Sequence, residues 1–193
     1  MRRRELVAGL AGAGVLAAGG FVAARGVPSP ESLGDEGGDE GDAESDDADE
    51  PLDPLEIETI DARGSEAGSV VVPAPDRPTF VDFFGTWCPP CIEQMPALAE
   101  AHERVGDEVL FLSVTTESVG RSITREELAA WWAEHDGNWT VGLDPNVDLA
   151  MQCELAGYPW AAAIDADGRL RWADGGIKTA DELVAGIERA TER

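Results

Sequence analysis

Hydrophobic and polar positions divide this 193-residue chain into three regimes. Residues 6–24 are uncharged and mainly apolar, residues 26–54 hold almost nothing that could be buried, and from Leu55 onward apolar residues recur at regular intervals. In that last region alternation predicts a short strand over Leu55–Ile60, and an apolar run predicts another over Ser69–Val72. Ala74-Pro75-Asp76-Arg77-Pro78 reads as a turn before a central strand, Thr79–Phe84. Helical spacing starts after Cys91 and predicts a helix to about Val105, with Pro96 as an internal kink.

Val109–Thr115 reads as the next strand. Thr124-Arg125-Glu126-Glu127 has the form of a capping box and opens a helix through Trp131 and Trp132 to His135. Trp139–Leu143 predicts a strand, Asp144-Pro145 a helix start, and Val147–Leu155 a short helix. Trp160–Ile164 and Leu170–Trp172 flank Asp165-Ala166-Asp167-Gly168, a hairpin signal, and Thr179–Ala190 closes the chain as a helix. The order β-β-β-α-β-α-β-α-β-β-α predicts an α/β fold with a mixed central sheet covered by helices on both faces.

Charge separates the same regions. Fourteen basic residues stand against 39 acidic ones, and residues 31–54 contribute twelve acids and no base. That stretch is expected to be a disordered, self-repelling tether within a linker spanning 26–54. The acids of residues 55–193 are spread over every predicted helix and turn, and Lys178 is the only lysine. This predicts a solvated acidic surface suited to high salt, where screening is strong. Without a basic stripe to neutralise phosphates, nucleic acid is excluded as a partner.

The first 25 residues open on Arg2-Arg3-Arg4, run uncharged from Leu6 to Ala24 and close on Arg25. Nineteen residues make about 28 Å of helix, enough to cross a membrane. Twelve of them are Gly or Ala, so the stretch is only mildly hydrophobic. It resembles a twin-arginine export signal, with Val22-x-Ala24 as a cleavage site. The chain is therefore expected to be exported, and either anchored through residues 6–24 or released.

Three cysteines are too few for a disulfide scaffold, and two of them form Cys88-Pro89-Pro90-Cys91 at the end of an aromatic strand. At a helix start the dipole and free backbone N–H groups stabilise a thiolate on the first cysteine. Cys88 is thus the candidate nucleophile and Cys91, one turn deeper, the resolving thiol. Zinc would need further ligands, and Cys153, His102 and His135 lie at unrelated spacings. Cys153 falls on the sheet-facing side of a predicted helix and reads as a buried, inert thiol, with a third redox partner as the alternative. The two histidines are expected on solvated helix faces. Asp144-x-Asn146-x-Asp148 begins like a calcium loop, but Leu149 and Leu155 occupy its obligatory Gly and Glu positions.

The run Val81-Asp82-Phe83-Phe84-x-x-Trp87-Cys88-Pro89-Pro90-Cys91, with Pro96 downstream and Tyr158-Pro159 before a later strand, resembles the thioredoxin superfamily. Within it, the chain looks most like the exported, membrane-tethered TlpA/ResA-like thiol-disulfide oxidoreductases, over about residues 55–193. The resemblance implies a thioredoxin-like fold with extra N-terminal strands, and Pro159 as a cis-proline facing the dithiol. It further implies that Trp87 covers the dithiol and that the backbone of Tyr158 pairs with an extended substrate segment.

By the same resemblance Asp82 is a buried carboxyl beneath Cys91 that exchanges a proton with it; an edge-of-core carboxylate held by hydrogen bonds is the alternative. Trp160 stands where the family commonly has Thr, and either shapes the substrate groove or packs in the core.

The activity implied is disulfide exchange with exported proteins, in the reducing direction, in cytochrome c maturation or envelope disulfide repair. A membrane thiol carrier would supply electrons to a monomer needing no metal or organic cofactor. A disulfide-forming oxidase, a thiol peroxidase, and a metallochaperone or binding module remain as alternatives.

Overall fold

A computed structural model describes residues 50–192. The expected signal segment 1–25, its membrane stretch 6–24 and the tether up to residue 49 lie outside the described residues. No helix among those described is long and apolar enough to cross a membrane.

The elements follow the expected order. They are β1 (Leu55–Thr59), β2 (Gly68–Val72), β3 (Thr79–Phe84), α1 (Pro89–Val105), β4 (Leu110–Thr115), α2 (Arg125–Glu134), β5 (Thr140–Leu143), α3 (Asp148–Gln152), β6 (Trp160–Ile164), β7 (Leu170–Gly175) and α4 (Ala180–Thr191). The seven strands form one sheet in the order β2-β1-β5-β4-β3-β6-β7. β3 pairs in parallel with β4 and antiparallel with β6, so it is an interior strand, and it is buried throughout. Folded structure begins earlier than the expected position 55. Pro51 bridges to Arg169, and the Leu52 N–H donates to the Gly168 carbonyl at 2.8 Å.

Strand pleating sorts β3 into two packing layers. Phe80 and Phe84 pack with Met95 and Leu98 of α1, Leu128 and Trp132 of α2, and Leu183 and Ile187 of α4. Val81 and Phe83 point the other way, toward Leu149, Ala150 and Cys153 around α3. The dithiol, Cys88 and Cys91, belongs to the first layer.

Local chemistry explains where the elements start. Thr124 and Glu127 complete a capping box at α2, and Thr179 and Glu182 complete another at α4. The calcium-like fragment is a helix start, because Asp144 accepts from the Asp148 and Ala150 N–H groups, both at 2.9 Å. At the hairpin, Asp165 accepts from the N–H groups of Asp167 and Arg169 and from Arg171 Nε, while Gly168 takes the left-handed conformation at φ 86°.

The histidines depart from the expectation of solvated faces. His102 is half-buried with its ring 5.1 Å from Phe111 and 5.4 Å from Trp139, and burial lowers its pKa against the opposing pull of Asp107 and Glu103. His135 sits edge-on to Trp131 at 4.6 Å. Helical spacing places both residues near carboxylates, but the aromatic content of α2 and β4 decides what their rings touch.

Candidate active site

Cys88 and Cys91 are joined as a disulfide, with Cα atoms 5.3 Å apart. Cys88 is the N-cap of α1, in an extended conformation, and Pro89 and Pro90 fill the first two helical positions. Helix starts normally leave several N–H groups unpaired. Here the prolines carry none, and the Cys88 N–H donates to the Gly85 carbonyl at 3.1 Å. The N–H of Cys91 is shared between the Cys88 carbonyl at 3.1 Å and Cys88 Sγ at 3.2 Å. A charge developing on Cys88 therefore meets a helix N-terminus with a backbone donor already within reach of its sulfur. Both cysteines are buried, Cys88 at 3% exposure and Cys91 at 1%.

The turn that delivers Cys88 is held from β4. The Glu117 carboxylate accepts from the Thr86 N–H at 2.7 Å, from Thr86 Oγ1 at 3.0 Å and from Thr115 Oγ1 at 3.2 Å. Trp87, next in sequence, is 65% exposed and rests edge-on against Tyr158 at 5.6 Å. Its indole folds back over Gly85, where an added Cβ would lie 2.8 Å from the ring. The Tyr158–Pro159 peptide is cis, Pro159 is buried, and the Tyr158 hydroxyl hydrogen-bonds Thr116 Oγ1.

Asp82 projects from β3 into the same layer as the dithiol. It is 2% exposed, and burial raises its pKa to about 7, against the opposing effect of a hydrogen bond donated by Ser113 Oγ. A narrow crevice brings Asp82 together with Gln94 of α1, Pro159, and Gly176 and Lys178 of the β7–α4 loop. Gln94, one turn after Cys91, accepts from the Lys178 N–H at 2.6 Å and donates to the Lys178 carbonyl at 3.0 Å. The Gly176 N–H donates to the Pro159 carbonyl at 2.9 Å. One short loop thus ties the dithiol helix to the cis-proline.

Trp160 takes the packing alternative. Its indole packs in the α3 layer, opposite the dithiol, and Nε1 donates to the Cys153 carbonyl at 2.9 Å. Pleating decides this, because Trp160 and Ala161 must face opposite ways and Ala161 faces the dithiol layer. Cys153 is fully buried, and burial, with the nearby Asp144 and Glu154 charges, pushes its thiol up to about 12. Among the described residues no cluster of His, Cys, Asp and Glu has the arrangement to hold a metal ion.

Sequence reasoning brought Cys88, Cys91, Asp82, Trp87, Tyr158 and Pro159 into view; the structure packs Tyr158 against the cluster that holds Cys88 and Cys91, sets Trp87 on Tyr158, and brings Asp82 and Pro159 to one crevice with Gln94 of α1. It missed Glu117, Gln94 and Ser113. Each works through a contact with a residue at least 31 positions away, which no local pattern announces.

A model of the Redoxin family matches residues 69–187, more than half of the chain. The chain belongs to the Redoxin family. Among curated relatives of this Redoxin chain, rice (Oryza sativa subsp. japonica) chloroplastic Thioredoxin Y is 34% identical over 55 residues, 28% of this chain and 33% of that protein. The thiol-disulfide oxidoreductase ResA of Bacillus cereus (strain ZK / E33L) is 24% identical over 116 residues, 58% of this chain and 62% of that protein. The chain thus spans between a third and just under two thirds of these relatives' lengths. The crystal structure of StoA from Bacillus subtilis superposes with a TM-score of 0.57 at 19% identity, covering 69% of this chain and 95% of that one. The fold is thioredoxin-like, and the family resemblance read from the dithiol, its strand and the distant proline holds.

Proposed function

We propose that this protein is a thiol-disulfide oxidoreductase that reduces disulfides in exported proteins. The observation that carries the reading is the Cys88–Cys91 pair at the start of α1, with the Cys91 N–H on Cys88 Sγ and Tyr158, of the cis Tyr158–Pro159 bond, packed against the same cluster. In the reduced protein the Cys88 thiolate attacks a substrate disulfide. A bond forms between Cys88 and one substrate sulfur, and the other leaves as a thiolate. Cys91 passes its proton to Asp82 and attacks Cys88 Sγ. The Cys88–Cys91 disulfide closes, the second substrate sulfur departs and takes up a proton, and the substrate has gained two electrons.

Trp87 and Tyr158 form the rim against which an extended substrate segment lies, and the backbone of Tyr158 pairs with it. The cycle uses no metal or organic cofactor. Electrons return to the dithiol from a membrane thiol carrier. An export-like N-terminus and an acidic tether support an extracytoplasmic setting, with residues 6–24 in the membrane or removed. The protein acts as a monomer, and its acidic surface argues against nucleic acid as a partner.

Assaying reduction of a disulfide-containing test protein by the full chain, with dithiothreitol as the electron source, tests the reading. Wild type should accelerate the reaction and Cys88→Ser should not; equal rates with both would overturn it. A dithiol potential near about −270 mV supports a reductase, and one well above about −200 mV would reverse the direction.

A further inference from the structure

Behind Asp82 lies a buried hydrogen-bonded pair that the exchange steps leave unused. Ser113, the register partner of Asp82 on β4, places Oγ 3.0 Å from Asp82 Oδ2. Trp139, just before β5, donates Nε1–H to the same Ser113 oxygen at 2.9 Å. Ser113 is fully buried, and Trp139 and Asp82 are each 2% exposed.

We propose that Trp139 and Ser113 are positioning residues that keep a hydroxyl proton directed at Asp82, and so set how readily Asp82 takes and returns the Cys91 proton. The inference rests on the disulfide-exchange reading above. An indole N–H can only donate, whereas a hydroxyl donates once and accepts twice. With Trp139 on an acceptor site, the Ser113 hydrogen turns to Asp82.

The direction of the Trp139 N–H is itself fixed. Its ring is wedged edge-on against Trp132 at 4.9 Å and Phe111 at 5.5 Å, with His102 at 5.4 Å. A proton on Asp82 Oδ2 would set two hydrogens facing each other, and one on Oδ1 would leave Ser113 donating to a neutral carbonyl oxygen, a weaker bond than the one to a carboxylate. The pair therefore favours the carboxylate while burial favours the neutral acid. Those opposed preferences leave a proton that moves easily in either direction.

The surroundings of Asp82 contain few competitors. Ala161 opposite it on β6 and Leu183 of α4 carry no charge, and from α1 comes the neutral Gln94. Lys178 reaches the crevice, but its ammonium is committed to the Gly175 and Gly176 carbonyls at 2.6 and 3.3 Å and to Asp174 at 3.2 Å. His102 lies on Trp139, and its own pKa is lowered by burial, with Asp107 and Glu103 opposing.

Carboxyl-carbon NMR titration of Asp82 in the full-length oxidised chain, with the signal assigned by Asp82→Asn, is the test. Ser113→Ala should move the Asp82 midpoint up by about one pH unit, the worth of a buried hydrogen bond to a charge. Trp139→Phe should move it up by less, and Ser113→Thr, which keeps the hydroxyl, should stay near wild type. The pH profile of Cys91-driven release from a preformed mixed disulfide should move in the same direction, which a purely structural role would not produce.

An Asp82 midpoint unmoved in both Ser113→Ala and Trp139→Phe overturns the proposal, and if one variant fails to fold the other decides. A wild-type chain that exchanges no disulfide, yet titrates as described, overturns the functional reading while the pair's hold on Asp82 stands.

Discussion

The backbone N–H of Cys91 points at the sulfur of Cys88 from 3.2 Å, and Pro89 and Pro90 remove the donors that would otherwise share that helix start. A thiolate released on Cys88 keeps this donor, whereas one on Cys91 would sit deeper and without it. In the reduced full-length chain, limiting iodoacetamide at pH 6 should therefore label Cys88 before Cys91. Peptide mapping showing Cys91 labelled first would reverse the two roles.

Asp82 makes stability depend on pH with a definite sign. Its folded pKa, about 7, lies above the usual carboxyl value of 3.8, so between those limits the native chain binds the extra proton. Its contribution is fully favourable below about pH 4 and is lost as pH rises through 7. Three units correspond to about 4 kcal/mol at most. Asp82→Asn should accordingly stabilise the oxidised protein at pH 8.5 by a few kcal/mol in urea unfolding, and the gain should vanish near pH 4. An equal change at both pH values would contradict this assignment.

Glu117 holds the turn before the dithiol through three hydrogen bonds, to Thr86 N, Thr86 Oγ1 and Thr115 Oγ1. Glu117→Ala leaves the Thr86 N–H without its acceptor and should cost about 1–3 kcal/mol. Denaturant midpoints measure the loss. Glu117→Gln, which keeps one carbonyl oxygen as acceptor, should recover part of it.

Cys153 is fully buried with its thiol pushed up to about 12, so it should take no part in exchange. The native oxidised protein should resist maleimide at pH 7 and take up one equivalent on unfolding. Cys153→Ala should reduce disulfides at the wild-type rate. A slower Cys153→Ala protein with an intact fold would make Cys153 a third redox partner.

The parts of this architecture that were legible in the sequence are those written in neighbouring residues. The aromatic strand ahead of Cys88 and the capping boxes of α2 and α4 are local devices, and each sits where its pattern predicted, whereas α1 starts at Pro89, before the helical spacing that follows Cys91. The sheet order was not legible. β5 lies between β1 and β4, and alternation within a strand does not identify its neighbours. Nor were the supports of the site. Gln94 and Lys178 meet across 84 positions and Ser113 and Trp139 across 26, through contacts that exist only once the layers pack. Trp160 was ambiguous because its side of the sheet follows from register, which the pairing of Phe83 with Trp160 on β6 fixes.

The central claim, that Cys88 exchanges disulfides and Cys91 resolves them, is tested most directly by Cys91→Ser. Without the resolving thiol, full-length protein mixed with a disulfide-containing protein should accumulate a mixed disulfide through Cys88. The adduct should be visible on non-reducing gels, be released by dithiothreitol and be absent from the Cys88→Ser, Cys91→Ser double variant. A Cys91→Ser protein whose Cys88 alkylates freely, yet which captures no partner, would contradict the account.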